Sequence, residues 1–591
     1  MTVSPISRRD LDFLLYEWLD VTELTTRARF AEHSRETFDG ILDLCADIAA
    51  KCFAPHNKKS DQNEPQIGPD GKVVIIDEVR AALGEVGKAG IIAAPFDEEL
   101  GGMQLPTIIT RAAGAWLQGA NAATSSYAFL TMANAGLLVE HGTPEQIDTW
   151  VRPMLEGRFF GTMCLSEPQA GSSLADITTK AQPEGDGSYR ITGTKMWISG
   201  GDHELSENIV HLVLAKLPGG SPGVKGISLF VVPKYLADGT RNDVALVSLN
   251  HKMGNRGTTN ALLNFGDGTH NPSDQPGAVG YLVGEPHRGL SYMFHMMNEA
   301  RIGVGFLATS LGYAGYLQSV EYARVRTQGR PVASKDPGSS PVPIIEHADV
   351  KRMLLAQKSY VEGALALGLY CSKLVDEQRT DSDPESAART ELLLDVLTPI
   401  AKSWPSQWCL EANNLAIQVH GGYGYTKEFD VEQLYRDNRL NPIHEGAHGI
   451  HGLDLLGRKV VMGGGTGLML LAQAITATID RAGDREAELA GALRTALERL
   501  VTVTTTVWSP GDPEAALANA TIYLEAAGHV VIAWMWLEQL LAVGDRQGAF
   551  YDGKRAAAQY FCRYELPKTN PQFDLLAALD RTTLDTDPSW F

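Results

Sequence analysis

Cysteine is scarce in this chain of 591 residues, and its six cysteines show no Cys-x-x-Cys pair or Cys/His ligand spacing. So few cysteines in so long a chain exclude a disulfide framework and a structural zinc site. We therefore predict free, buried thiols, no bound metal and a reducing compartment, the cytoplasm. The cysteines are Cys45, Cys52, Cys164, Cys371, Cys409 and Cys562.

Positive charge is also in short supply, because 51 Lys and Arg residues face 71 Asp and Glu residues, for a net charge of −20. Without a basic surplus to neutralise phosphates, a nucleic-acid partner is not expected. Long apolar runs are missing as well, so we predict no transmembrane segment. The N-terminus has a basic pair at Arg8 and Arg9, but acidic residues follow and no apolar stretch resembles a secretory signal.

The chain is long enough for several domains, and its composition changes along its length. Residues 1–159 and 286–460 show apolar positions at helical spacing, whereas residues 160–285 contain short β-rich runs separated by turns. These runs predict an antiparallel barrel or sandwich between two helical domains. Residues 461–591 form a fourth, helical segment, and the three glycines at Gly463–Gly465 predict a flexible joint at its start.

One carboxylate stands out in the segment Gln418–Lys459, which reads QVHGGYGYTKEFDVEQLYRDNRLNPIHEGAHGIHGLDLLGRK. Glu445 lies between Ile443-His444 and Gly446, in apolar surroundings. Burial raises the pKa of such a carboxylate and removes its water, which suits a general base that takes a proton from carbon. Taken alone, Glu445 is better explained as a carboxylate at a helix N-terminus, where it meets the helix dipole, and we expect a helix to begin at this residue.

Two segments together resemble the acyl-CoA dehydrogenase family. In the first, Gln418, Gly421 and Gly422 are followed by an acidic-basic run and then by Glu445-Gly446. In the second, MCLSEPQAGSS at Met163–Ser173 is followed about twenty residues later by GTKMWISGG. Departures from the family pattern are Ala447 in place of threonine and Ser173 in place of aspartate.

The resemblance implies the α+β acyl-CoA dehydrogenase fold, with an N-terminal helical domain, a middle β-barrel and a C-terminal four-helix bundle. The extra C-terminal helical domain resembles that of a longer subgroup, which includes bacterial long-chain and methylthiopropionyl-CoA dehydrogenase-like enzymes. Within that extension, a helix with Trp534 and Trp536 could touch a membrane or lie in a core. We favour the core because no basic face accompanies the helix.

The resemblance also implies a site for FAD. Its cross-subunit part requires a homodimer or a larger homo-oligomer, with Arg326 taken from a YARVRTQGR segment that is one residue shorter than in the family. The implied contacts are Met163, Leu165, Ser166, Ser172, Trp197 and Ser199 within one subunit, and Arg326, Thr327, Gln418, Gly421 and Gly422 across the interface.

The implied reaction removes two hydrogens across Cα–Cβ of an acyl-CoA, giving a trans-2-enoyl-CoA in β-oxidation. Glu445 would take the α-proton and flavin N5 the β-hydride, and an electron-transfer flavoprotein would accept the electrons. Small side chains near the expected acyl site, Thr124, Ser125, Ala128 and Ala133, favour a medium- to long-chain substrate. The implied substrate contacts are Ser172, Met297, Asn298, Arg301 and Gly446.

Two alternatives remain open from the sequence. The enzyme could use methylthiopropionyl-CoA or another specialised acyl-CoA with the same motifs. It could instead be a flavoprotein of the same fold without dehydrogenase activity, but such proteins usually lack the glutamate found here as Glu445.

Overall fold

A computed structural model describes residues 4–272, 275–333 and 338–591, without the side chains of residues 295–298. Along the chain, short helices come first, a group of strands follows, and long helices make up the remainder. The predicted order of helical, β and helical segments is therefore confirmed. The cysteines are free, and all but the half-buried Cys52 are buried.

The N-terminal part consists of helices around a shared apolar core. Helix α2 begins with a capping box between Ser34 and Thr37, and its residues Phe38, Leu42 and Cys45 recur at helical spacing and are buried. A small hairpin, β1 (Gln66–Ile67) and β2 (Val73–Val74), interrupts the helices. The helices are α1 (Arg8–Asp12), α2 (Arg35–Ile48), α3 (Asn57–Gln62), α4 (Asp77–Lys88), α5 (Thr107–Ala120), α6 (Ala122–His141), α7 (Pro144–Gln146) and α8 (Arg152–Leu155).

The middle part is a closed barrel. It closes because its last strand, β10, pairs with both β5 and β7. Most neighbours are antiparallel, as expected, but β3 runs parallel to β6. The β-rich runs seen in the sequence correspond to β5, β6, β7 and β9. The strands are β3 (Phe159–Cys164), β4 (Lys180–Pro183), β5 (Tyr189–Ser199), β6 (Asn208–Lys216), β7 (Ile227–Pro233), β8 (Val244–Leu249), β9 (Asn260–Phe265) and β10 (Ala278–Leu282).

Three long helices dominate the next part, in the region where the sequence shows apolar positions at helical spacing. Two of them, α9 and α11, approach so closely at Gly305 that an added Cβ would lie 1.9 Å from the Ala401 carbonyl oxygen. Only glycine permits this backbone contact. The helices are α9 (Gly289–Val325), α10 (Ala348–Thr380), α11 (Pro384–His420), α12 (Val431–Asn438) and α13 (His448–Asp454).

The C-terminal extension is helical, as predicted. Gly463, Gly464 and Gly465 have φ of 59°, 70° and 91°, so a left-handed break stands at the position where a joint was expected. The following helices are α14 (Met462–Asp480), α15 (Ala487–Trp508), α16 (Pro513–Leu517), α17 (Ala520–Val543), α18 (Ala549–Tyr560), α19 (Thr569–Ala577) and α20 (Thr582–Asp585).

Helix α17 is the core of this extension. Trp534 and Trp536 are buried, and the Trp536 indole N–H donates to the carbonyl oxygen of Ser359 on α10 at 3.1 Å. By length and composition alone, α14 and α17 are apolar enough to cross a membrane. Of an 18-residue apolar stretch in each helix, 28% is buried inside the protein in α14 and 78% in α17. The burial of α17 agrees with the predicted core role, since core helices share this composition.

Candidate active site

The loop after β3 is held by a buried ion pair. Lys195 Nζ lies 3.0 Å from Glu167 Oε1 and donates a second hydrogen bond to the Leu165 carbonyl oxygen. The Glu167 carboxylate also accepts the backbone N–H groups of Thr178 and Thr179. Burial raises the pKa of Glu167, but the Lys195 charge and these hydrogen bonds outweigh it and lower the pKa to about 2. Lys195 thus fixes the start of the loop to β5, and Glu167 joins the two ends of the loop to each other.

A β-bulge in β5 turns Trp197 outward. The pairing of β5 with β9 shifts register between Lys195 and Ile198, and Trp197 has a φ of 66° and an exposed fraction of 60%. The Met196 N–H donates to the Ser166 carbonyl oxygen at 3.0 Å, which joins the two predicted flavin motifs. The indole therefore offers a flat apolar face beside the loop, a surface that suits a planar ring system.

The other residues predicted for this part of the flavin site lie at the end of β3, on the loop after it and at the end of β5, and they differ in solvent exposure. Ser199 accepts a hydrogen bond from Asn260 Nδ2 at 3.2 Å, and Ser173 bonds Asp176 within the loop. Ser172 is exposed, whereas Met163, Leu165 and Ser166 are half-buried. The loop with serine in place of aspartate thus keeps an internal hydrogen bond.

The residues predicted for the cross-subunit part also come together. The Arg326 guanidinium lies 5.8 Å from the ring centroid of Tyr423, which follows the two glycines. Gly421 ends α11 with a φ of 62°, and a Cβ on Gly421 or Gly422 would meet no heavy atom within 4 Å. Thr327 and Gln418 are exposed on the same segments. This surface has open space next to a cation, as a diphosphate requires.

Glu445 lies in a turn and not at the start of a helix, which corrects the sequence prediction. Its φ is 53°, a left-handed conformation that costs about 1–3 kcal/mol in a residue with a side chain, and α13 begins three residues later at His448. Among the residues that the structure describes, neither its carboxylate nor its backbone N–H has a hydrogen-bond partner, and the carboxylate has no ion pair. Both groups are free to act on a ligand.

Burial and nearby charges shift the pKa of Glu445 in opposite directions. The side chain is half-buried, and desolvation by the surrounding protein raises its pKa. The charges of Arg301 and Lys402 lower the pKa in part. Arg301 is buried and pairs with Asp454 at 3.2 Å, and its Nε has no hydrogen-bond partner among the described residues.

Two side chains that the sequence analysis missed, Lys402 and His451, hydrogen-bond the backbone of this turn. Lys402 Nζ donates to the carbonyl oxygens of Asn441 and Gly446 at 2.8 and 2.5 Å. His451 Nε2 lies 3.1 Å from the Glu445 carbonyl oxygen, and because a carbonyl can only accept, this nitrogen carries the hydrogen. Gly446 has a φ of 96°, and an added Cβ would lie 2.7 Å from His451 Nε2.

The remaining substrate predictions have mixed outcomes. The side chains of Met297 and Asn298 lie outside the described residues. Thr124 hydrogen-bonds His56 Nε2 at 2.8 Å, and Ser125 donates to the Ala122 carbonyl oxygen at 3.0 Å, so both small side chains face buried partners. The length of the acyl group therefore stays a prediction.

Four family models match consecutive parts of the chain. They are described as acyl-CoA dehydrogenase N-terminal domain (residues 36–158), middle domain (162–267) and C-terminal domain (287–460), and acetyl-CoA dehydrogenase C-terminal like (471–587). The chain belongs to the acyl-CoA dehydrogenase family. The predicted fold and enzyme class are therefore confirmed.

Full-length relatives support the assignment. A 3-methylmercaptopropionyl-CoA dehydrogenase from Ruegeria pomeroyi is 34% identical, over 94% of this chain and 95% of the relative. The broad-specificity linear acyl-CoA dehydrogenase FadE5 from Mycobacterium tuberculosis is 31% identical over 99% of both chains. Because these alignments leave at most 6% of this chain unmatched, most of the C-terminal extension is shared with both relatives.

Solved structures share the fold. Caenorhabditis elegans ACDH-11, in complex with C11-CoA, has a TM-score of 0.76 at 16% identity, covering 98% of this chain and 94% of that chain. An acyl-CoA dehydrogenase from Bacillus anthracis, complexed with FAD, has a TM-score of 0.75 at 19% identity, covering 98% and 95%.

Proposed function

We propose that the protein catalyses the FAD-dependent α,β-dehydrogenation of a fatty acyl-CoA to a trans-2-enoyl-CoA, with Glu445 as the base. The observation that carries this proposal is the Glu445 carboxylate, which is desolvated, has a raised pKa and is unpaired among the described residues. The raised pKa brings this base closer to the pKa of a weak carbon acid, so it accepts a proton from carbon more readily than an exposed glutamate does.

Residues on the protein would hold FAD in two places. The exposed face of Trp197 and the half-buried Met163, Leu165 and Ser166 suit the planar ring. Arg326 and the open backbone at Gly421–Gly422 suit the diphosphate. Bound FAD would supply the acceptor for the β-hydride. The protein fits the cofactor because both places combine accessible surface with the required chemistry.

The protein's own groups act on the thioester in two ways. The Glu445 carboxylate takes the α-proton, and its free backbone N–H can donate to the thioester oxygen as negative charge develops there. Both groups belong to one residue, so the left-handed turn at φ 53° determines their relative directions. Arg301 and Gly446 border this turn and are the proposed substrate contacts here, together with Ser172 on the flavin loop.

The substrate is proposed as a straight-chain acyl-CoA of medium to long chain. The Mycobacterium tuberculosis relative, whose name describes broad specificity for linear acyl-CoAs, supports this choice. 3-Methylmercaptopropionyl-CoA is the second candidate, because the relative from Ruegeria pomeroyi with that activity in its name is 34% identical. A thioether in place of a methylene would need no change in the chemistry at Glu445.

The proposal has consequences for partners and location. The reduced flavin must be reoxidised, and we assign this step to an electron-transfer flavoprotein. The exposed Arg326 and Gly421–Gly422 surface would reach the FAD of a second copy, which makes the active protein a homodimer or a larger homo-oligomer. The free cysteines fit a reducing cytoplasm.

Anaerobic titration of the yellow protein with acyl-CoAs of four to sixteen carbons, and with 3-methylmercaptopropionyl-CoA, tests the proposal. Bleaching of the flavin absorbance by one series identifies both the reaction and the substrate. Glu445→Gln should keep FAD and lose about 10⁴-fold in the reduction rate, since the amide cannot take the proton. Full reduction by Glu445→Gln, or no bleaching with any acyl-CoA, would refute the proposal.

A further inference from the structure

Lys402 lies on α11, 43 residues before Glu445, yet it holds both ends of the turn that carries Glu445. Its side chain is fully buried, and its Nζ donates to the Asn441 carbonyl oxygen on one side and to the Gly446 carbonyl oxygen on the other. No carboxylate lies within ion-pair distance of Lys402 among the described residues. Carbonyl groups carry no net charge, so the positive charge of a buried ammonium bonded only to carbonyls still acts on nearby groups.

A network of buried amides supports the first of these carbonyls. Asn441 Nδ2 donates to Asn438 Oδ1 at 2.8 Å, and Asn438 Nδ2 donates to Asn413 Oδ1 at 2.7 Å. Asn413 in turn bonds the Leu311 carbonyl oxygen on α9 at 2.9 Å. Lys402 therefore connects the turn to a rigid part of the helical bundle, because two further buried side chains, Asn438 and Asn413, fix the position of Asn441.

We infer that Lys402 is a positioning residue for Glu445, which holds the left-handed turn in place and keeps the carboxylate ionised by its charge. This inference rests on the proposed function and adds to it the residue that controls the base. Lys402 touches no reacting atom, so its effect reaches the substrate only through Glu445.

The titration behaviour of Lys402 agrees with this geometry. Burial lowers its pKa to about 7, Glu445 opposes this shift and Arg301 adds to it. Several other ionisable groups face the same space from the neighbouring elements. They are Arg301 from α9, Arg439 after α12, His444 in the turn, and His448, His451 and Asp454 from α13.

Those neighbours do not replace the charge of Lys402. Burial lowers the pKa of His444 and His448 to about 4 and that of His451 to about 3, so all three are neutral near pH 7. Arg301 carries charge but is paired with Asp454. Of the two cations whose charges act on Glu445, Arg301 and Lys402, Lys402 is the one without a carboxylate partner among the described residues.

The test compares Lys402→Met with the wild type in the FAD-loaded protein. The methionine keeps an unbranched side chain, one atom shorter, and removes both the charge and the two hydrogen bonds. We expect flavin reduction by the best acyl-CoA to fall about 100-fold at pH 7, as small displacements of a catalytic group cause. The midpoint of the acid limb of the rate-against-pH profile should move up by about one unit or more, because loss of a nearby cation raises the pKa of Glu445.

Two further variants separate the charge from general stability. Lys402→Arg keeps the charge and should return the acid-limb midpoint toward that of the wild type, even where its rate stays lower. Lys373→Met is the matched control, since Lys373 on α10 donates to the Leu19 carbonyl oxygen at 2.8 Å and lies outside the site. We expect Lys373→Met to leave the midpoint unchanged.

Hydrogen–deuterium exchange gives a readout that needs no turnover. In Lys402→Met, the backbone amides of residues 440–452 should exchange about tenfold faster than in the wild type and in Lys373→Met, because the turn loses both hydrogen bonds from Lys402. If no acyl-CoA reduces the wild-type flavin, the proposed function fails, and exchange then decides whether Lys402 holds the turn. Normal exchange in Lys402→Met, or a reduced rate with an unmoved midpoint, would overturn the inference.

Discussion

Two buried lysines support the two halves of the site, and they do so in different ways. Lys195, below the flavin loop, is paired with the Glu167 carboxylate at 3.0 Å. Lys402, below the catalytic turn, bonds the carbonyl oxygens of Asn441 and Gly446 and has no carboxylate within ion-pair distance among the described residues. Both side chains are fully buried.

The difference shows how the partner decides what a buried cation does. Lys195 and Glu167 neutralise each other, so their pair can fix a loop without a strong effect on the surroundings. Lys402 is left uncompensated by its carbonyl partners, so its field reaches Glu445. The first arrangement suits a binding surface that must not change, and the second suits a base whose pKa must be controlled.

The largest effect should come from breaking the Lys195–Glu167 pair. Lys195→Met leaves the Glu167 carboxylate buried without its cation, which should destabilise the protein by about 3–5 kcal/mol and release FAD. Thermal unfolding and the flavin content of the purified protein measure both effects. The double variant Lys195→Met/Glu167→Gln is the control and should recover part of the loss, because no buried charge is left alone. Unchanged stability and flavin in the single variant would contradict the structural role of the pair.

A smaller effect should appear in the pH dependence of the same pair. The folded-state pKa of Glu167 is lowered to about 2, so its ionisation stabilises the fold above the unfolded pKa and this contribution is lost as pH falls toward 2. Glu167→Gln should therefore be less stable than the wild type by about 3 kcal/mol at pH 7, with the gap closing between about pH 4.5 and pH 2. Urea unfolding at several pH values measures the gap.

The matched control for this pH series is an exposed glutamate. Glu156 pairs with Arg158 at 2.8 Å on the surface, where ion pairs contribute about 0–1 kcal/mol. Glu156→Gln should show a small gap at every pH. A gap of the same size and pH dependence in both variants would mean that burial of the Lys195–Glu167 pair is irrelevant.

Apart from the controls, the smallest predicted loss of stability concerns the turn that carries Glu445. Gly446→Ala places a Cβ 2.7 Å from His451 Nε2 at a φ of 96°, which should cost about 1–3 kcal/mol and slow flavin reduction without loss of FAD. Gly464→Ala is the control, since its φ is 70° but no heavy atom lies within 4 Å of an added Cβ. Stopped-flow reduction should separate the two variants, and equal rates would show that the turn tolerates the displacement.

The sequence predicted those parts of the site that lie close together along the chain. Trp197 and the Met163–Ser173 loop were predicted as flavin contacts from their resemblance to the family's motifs, and the structure joins them through the Met196–Ser166 hydrogen bond. Glu445 was found by its apolar context, but its helix was expected to begin there and begins at His448. Helix periodicity cannot place a left-handed residue, because the pattern of apolar positions carries no information on φ.

Other features could not have been found in this way. Lys402 is one lysine in a stretch of α11, residues 396–406, that is buried on every face, and only the packing of α11 against the turn brings it to Gly446. The parallel pairing of β3 with β6 joins segments that about fifty residues separate, so no local pattern reveals it.

By itself, the sequence determined the family and the order of helical and β segments, and it predicted Glu445 as the base, because these depend on residue types at short, fixed spacings. The tertiary structure decided which charges surround Glu445, which atoms hold its turn and which tryptophan faces outward. These depend on contacts between distant segments and on burial, which changes the pKa of a side chain without changing its place in the sequence.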